Sequence, residues 1–260
     1  MKKIFLFTLS ILVSSAFAQN IEELAKQCDI GNSENCNTLG LVYEKGKEVE
    51  QSYHEAALFY KKACDANNTL GCNNLGSLYH NGNGVEQDYL IAHDLYKKAC
   101  DNNFAYSCDN LAILYYFGYG FRQDYQKSAE FYKKACDLNN MLGCNNLGFL
   151  YQDGLGVTQD HAKAFELFQK TCDNDDMLGC NNLGFAYQNG FGTKQDYNKA
   201  VEIYTKTANE SNPYAYNNLG YMYENGFGVE KNSQKALELY KQACDLKNNV
   251  ACDNYSRLSI

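Results

Sequence analysis

Twelve cysteines and four histidines are the residues of this 260-residue chain best suited to covalent or metal chemistry. The cysteines fall at Cys28/Cys36, Cys64/Cys72, Cys100/Cys108, Cys136/Cys144, Cys172/Cys180 and Cys244/Cys252, each pair eight residues apart. Successive pairs are 36 residues apart, with a single gap of 72. The vacant register holds Ala208 and Tyr216, so both members of that pair are missing together. Independent loss would leave an orphan thiol, and joint loss therefore favours six bonds, each within a pair. Zinc is the rival chemistry, and the spacing argues against it. There is no C-x-x-C, and the pairs are strung along the chain instead of converging. No metal or cofactor is expected.

Catalytic chemistry finds less support. A serine acyl-enzyme of the β-lactamase kind needs a Ser one helical turn before a Lys, and S-x-x-K does not occur. His54, His80, His93 and His161 are dispersed, without H-x-H or H-x-x-x-H spacing. His80 as a general base lacks an identifiable nucleophile or orienting partner, and no second carboxylate can be placed opposite Asp109 or Glu224.

The elements that must hold the cysteines follow from the same period. Six units span 33–68, 69–104, 105–140, 141–176, 177–212 and 213–248, flanked by a half-unit at 19–32 and a terminal half-helix at 249–260. A period of this length signals a solenoid, in which each unit buries its apolar face only against its neighbours. Each unit reads as two helices, giving about 14 in all. The first carries L-G-x-x-Y, as at Leu75-Gly76 with Tyr79 and Leu147-Gly148 with Tyr151, and stops at a glycine suited to the left-handed position after a helix: Gly46, Gly82, Gly118, Gly154, Gly190 and Gly226. The second begins at Ser52, Asp88, Asp124, Asp160, Asp196 or Asn232, all good N-caps. Its buried stripe alternates small and aromatic residues, as in Ala92, Tyr96 and Ala99. The mid-helix glycine of the first helix costs about 1 kcal/mol relative to Ala, which implies close approach of the second helix; Ala112 is the one exception. Eight residues of continuous helix would separate two cysteines by about 12 Å, beyond the ~7 Å limit for a disulfide. A turn must lie between them, so each bridge staples the end of one unit to the start of the next.

Residues 1–18 are set apart as a secretory signal peptide. Lys2 and Lys3 precede an apolar run from Ile4 to Val13 and an A-x-A site at Ala16-Phe17-Ala18. Export to the periplasm or the medium is expected, where disulfides persist. A net charge of −8 disfavours nucleic-acid and anionic-membrane partners, and no later apolar run is long enough to span a bilayer. A monomer is expected.

The pattern L-G-x-x-Y, G-x-G and A-x-x-x-[YF]-x-x-A resembles the Sel-like repeat, a longer relative of the tetratricopeptide repeat. With paired cysteines such as those of C-D-L-N-N-M-L-G-C at Cys136 to Cys144, it resembles the Helicobacter cysteine-rich protein family. The resemblance covers nearly the whole mature chain. It implies an all-α, disulfide-stapled solenoid, a right-handed superhelix of helix pairs. It further implies secreted factors that engage host cells, with a β-lactamase and penicillin-binding label. Candidate partners are then a peptide, a peptidoglycan fragment, a β-lactam or a protein.

In tetratricopeptide-like solenoids one face of the first helix lines the concave surface. Here that face carries Asn73, Ser77 and His80; Asp109, Ile113 and Tyr116; Asn145, Phe149 and Gln152; Asn181, Phe185 and Gln188; and Asn217, Tyr221 and Glu224. Carboxamides beside aromatic rings suit a peptide or acyl-amino ligand. The alternative is structural: repeated Asn bridging adjacent helices, with Phe149 and Phe185 buried between units. Asn67 lies in an N-x-T sequon with an acidic residue two before it, a pattern that resembles bacterial glycosylation sites. The unstapled junction, with Pro213 after Asn212, is expected to be the softest point.

Overall fold

The computed structural model describes residues 20–47, 49–209 and 212–259, so the expected leader lies outside the described residues. Among these the regular structure is helical throughout, with no strand. Helix α1 covers residues 20–29. The first helices of the successive pairs are α2 (Ser33–Lys45), α4 (Thr69–Asn81), α6 (Ala105–Phe117), α8 (Met141–Asp153), α10 (Met177–Asn189) and α12 (Pro213–Asn225). The second helices are α3 (Tyr53–Asp65), α5 (Tyr89–Asp101), α7 (Tyr125–Asp137), α9 (His161–Asp173), α11 (Tyr197–Thr207) and α13 (Ser233–Asp245), and α14 (Asn249–Leu258) follows. No described helix is long and apolar enough to cross a membrane.

Local chemistry sets these limits. The Ser52, Asp88, Asp124, Asp160, Asp196 and Asn232 side chains each accept a backbone N–H of the helix they precede. Each first helix ends at a left-handed glycine, from Gly46 to Gly226. The mid-helix glycine has the packing reason the sequence implied. A Cβ on Gly76 would lie 2.7 Å from the Tyr96 ring, and one on Gly220 would lie 2.9 Å from the Tyr240 ring. The second-helix stripe is buried against that notch, with Ala92, Tyr96 and Ala99 at 3% exposure or less.

None of the twelve cysteines is free. Cys28–Cys36, Cys64–Cys72, Cys100–Cys108, Cys172–Cys180 and Cys244–Cys252 are bonded with Cα separations of 4.3–4.8 Å, each across a turn between a second helix and the next first helix. Cys136 and Cys144 are also oxidised. The turns contain a non-glycine residue at positive φ: Asn67, Asn103, Asn139, Asp175 or Lys247. Asn and Asp tolerate that conformation better than other L-residues, which explains the Asn/Asp-rich junctions.

The chain divides into two compact units, one ending at Leu138 and the other beginning at Asn139. In the first, Tyr60 packs with Ala56, Ala57, Leu75 and Leu78, and Tyr96 with Ala92, Leu111 and Leu114. In the second, Phe168 packs with Ala164 and Leu183, and Tyr204 with Ala200, Leu219, Met222 and Leu239. The second unit contains the unstapled junction. There α11 runs 11 residues where its counterparts run 13, and Ala208, in the cysteine register, is extended at φ −70° and ψ 98°. The partly buried Tyr216 packs into the Tyr204 cluster instead. Asn212 caps α12, its Oδ1 accepting the Ala215 N–H, with Pro213 at the first helical position.

Candidate functional site

The carboxamides expected on the first-helix face are largely occupied by one another. Asn74 donates to Asn37 Oδ1 at 3.0 Å, and Asn110 to Asn73 Oδ1 at 3.0 Å. Asn182 donates to Asn145 Oδ1 at 2.7 Å, and Asn254 to Asn217 Oδ1 at 3.0 Å. Every step spans 37 residues, one more than the repeat, so the second residue of an Asn-Asn or Asp-Asn dipeptide gives its amide to the position one residue earlier in the preceding copy. Asn73 also accepts from the Ser107 hydroxyl. Asn73, Asn145 and Asn217 thus bridge adjacent first helices, the structural role of repeated Asn.

The other expected residues divide similarly. Gln188 accepts from the Tyr204 hydroxyl, and Glu224 from the Tyr240 hydroxyl at 2.7 Å. Glu44 plays the same part for Tyr60. At this register Glu44, Gln188 and Glu224 each serve the second-helix tyrosine 16 positions later. Arg257 further engages Glu224 through two nitrogens, and that pairing holds the Glu224 carboxyl below the usual carboxylate range, with the Tyr240 hydroxyl assisting. The Gln152 side chain reaches Asp153 at 3.3 Å. His80 meets Tyr89 and Tyr119 edge-on, and burial keeps its imidazole below the ordinary histidine range. Tyr116 packs against Phe117 and Tyr125.

The aromatic residues behave differently. Phe149 and Phe185 are 38% and 42% exposed, and Tyr221 is likewise exposed, so none is buried between copies. Together with residues not singled out in the sequence, two of them line a cleft of about 280 Å³ in the second unit. Helix α8 contributes Asn145 and Phe149; α10 contributes Leu178, Asn181, Asn182 and Phe185; α12 contributes Tyr214 and Asn218. Tyr214 is 57% exposed. The lining holds no carboxylate and no basic side chain, so the cleft is an uncharged site of rings and amides. Leu142, Leu178, Tyr214 and Val250 recur at 36-residue spacing as exposed apolar residues in the first turn of their helices, a signal that was present in the sequence.

Away from this face, His93 links Asp94 and the Tyr115 hydroxyl at 2.9 and 3.0 Å. Its ring sits edge-on to Tyr115 and Phe121. A second cleft of about 260 Å³ lies between α9 and α11, beside Cys172–Cys180, where Lys199, Lys206, Glu202 and Asp173 make the lining charged.

With this architecture in view, comparison with known families is decisive. The Sel1 repeat family matches six times, over residues 36–68, 69–104, 105–140, 142–176, 178–212 and 213–248. The chain is a Sel1 repeat protein. The cysteine bridges fall at the junctions of these repeats. Among solved structures, this Sel1 repeat protein is similar to c5321, a protective antigen present in uropathogenic Escherichia coli strains displaying an SLR fold. Identity is 30% and the TM-score 0.82, over 92% of this chain and 51% of that one. The chain thus spans about half the length of c5321. A Sel1 repeat protein from Oxalobacter formigenes shares the fold at 24% identity and a TM-score of 0.75, over 89% and 95% of the two chains. Helicobacter pylori cysteine rich protein B is 31% identical over 52% of this chain and 97% of its own, at a TM-score of 0.42. Comparison with curated proteins gives no match.

Proposed function

We propose that this Sel1 repeat protein is an exported binding module whose first-helix face takes a peptide segment of a partner protein. The observation that carries the reading is the uncharged cleft of the second unit, where Phe149, Phe185 and Tyr214 stand exposed beside amides. Exposed rings clustered with a few polar groups are the usual composition of a recognition surface. Full oxidation of the cysteines fits an oxidising, extracytoplasmic setting, in line with the leader expected at residues 1–18. A peptide also suits the site better than a β-lactam, because a β-lactam's carboxylate finds no cationic group in this lining.

The β-lactamase activity implied by the family resemblance has no residue set to carry it, since S-x-x-K is absent and His80 faces only aromatic rings. Peptides selected from a displayed library on the purified protein test the proposal. Ligands should lose about tenfold or more in affinity on the Phe149→Ala/Phe185→Ala variant. Ligands that bind the variant and the parent equally would place recognition elsewhere. A chromogenic cephalosporin should not be turned over.

A further inference from the structure

The 37-residue amide ladder is interrupted at one described step, and the interruption lies in the cleft. By register Asn218 should donate to Asn181, as Asn182 does to Asn145 and Asn254 to Asn217. Instead the Asn181 Oδ1 oxygen is buried without a partner, in a residue only 6% exposed. Asn218 lines the same cleft and holds only a 3.4 Å contact from the Asn217 amide.

The direction in which Asn181 faces is fixed by chemistry. Asn212 Oδ1 accepts the Ala215 N–H as the cap of α12, which orients its amide so that the oxygen meets Asn181, while its own Nδ2 is buried without a partner. Asn181 must therefore turn its NH₂ toward Asn212, which it does at 2.7 Å, leaving its own oxygen on the other side. The same junction lacks the disulfide and has the shortened α11. The interruption thus coincides with the one place where adjoining copies are not stapled.

We propose that this gap is a peptide-reading site, in which Asn181 Oδ1 accepts a backbone N–H of the bound segment and Leu178, Phe185 and Tyr214 hold the neighbouring apolar side chain. The inference rests on the reading of the cleft as a peptide groove and narrows it to one acceptor. An unpartnered buried oxygen needs a donor, which a carboxylate or phosphate oxygen cannot supply. The absence of a carboxylate from the lining removes the counter-charge that an ammonium would need. A neutral N–H or O–H donor beside an apolar side chain is what remains, and a peptide backbone offers the N–H at every residue but proline. Leaving the acceptor unmade is unfavourable in the free protein, so a donor supplied by the ligand recovers interaction that the other Asn residues already make internally.

The test needs no substitution. The ¹⁵N-labelled protein is titrated with N-acetyl-L-leucine N-methylamide and, separately, with the same probe methylated at both amide nitrogens. The N–H probe should saturably shift the Asn181 and Asn218 side-chain signals, and the methylated probe should bind about tenfold more weakly. Equal affinities, with shifts still mapping to Phe149, Phe185 and Tyr214, would overturn the Asn181 assignment while leaving the groove reading standing. No saturable shift on this face with either probe would overturn both.

Discussion

Restoring the absent staple is the perturbation whose size can be worked out most directly. Five of the bridges hold Cα atoms 4.3–4.8 Å apart, well inside the ~7 Å limit. The double variant Ala208→Cys/Tyr216→Cys places cysteines in the same register, but residue 208 must first be drawn from its extended conformation into the end of α11. Replacing Tyr216 also removes packing from the Tyr204 cluster, so the proper reference is Ala208→Ser/Tyr216→Ser, in which that loss cancels. In the chain-entropy account, closing an eight-residue separation contributes roughly 2.5 kcal/mol. At about 1.4 kcal/mol per factor of ten, that corresponds to about a 60-fold smaller opening equilibrium at the junction. Hydrogen exchange read by mass spectrometry over residues 212–218 measures it. In the parent protein this stretch should exchange faster than the matching stretches after Cys64 and Cys172. In the cysteine variant it should become protected by about the stated factor, and closing the gap should weaken the amide probe of Asn181 as well. If peptide mapping shows the new bond formed and protection rises less than about threefold, the entropic account of the staples is wrong for this fold.

Gly76→Val should destabilise the protein by about 1–3 kcal/mol, because even a Cβ there would meet the Tyr96 ring at 2.7 Å. An unchanged urea midpoint would refute close approach as the reason for the glycine. Lys247→Asn should stabilise by about 0.5–1 kcal/mol, since Lys247 holds φ 69° where the equivalent turns use Asn or Asp; a lowered midpoint would contradict this. The Glu224 carboxyl, held low chiefly by Arg257, contributes stability that is present above the unfolded carboxyl value of about 4.3 and is lost as pH falls through the lower folded value. Arg257→Gln should therefore reduce stability at pH 7 and flatten its fall below pH 5, and parallel pH profiles for the two proteins would show that the pair contributes nothing.

Much of this fold was legible because every unit repeats the same local solutions. Asp88 and Asp160 cap helices for the reason any Asp does, Gly82 and Gly154 stop them for the reason any glycine can, and cysteines eight apart cannot pair without a turn between them. The candidate site was legible only in outline. Helical periodicity placed Asn145, Asn181, Phe149 and Phe185 on one face, but it could not say which amides would meet, because a 37-residue offset becomes a contact only when adjoining copies are stacked. For the same reason periodicity sets Gln188 and Glu224 on the groove face, although their partners are the Tyr204 and Tyr240 hydroxyls of the following helix.

The departure from the repeat carries more functional information than the repeat itself. Where copies are alike, the ladder amide left open by one is met by the next, as Asn145 is by Asn182. Within the ladder, the orphan acceptor Asn181 Oδ1 arises where the register between two copies is disturbed. The sequence marked that place twice, by the joint absence of cysteines at 208 and 216 and by Pro213 after Asn212. It could not show the consequence, since Asn217-Asn218 is the same dipeptide found in intact steps of the ladder. Selection for stability alone would favour the staple and the closed amide pair together. Their shared absence beside exposed Phe185 and Tyr214 is what a site adapted to receive a ligand N–H requires.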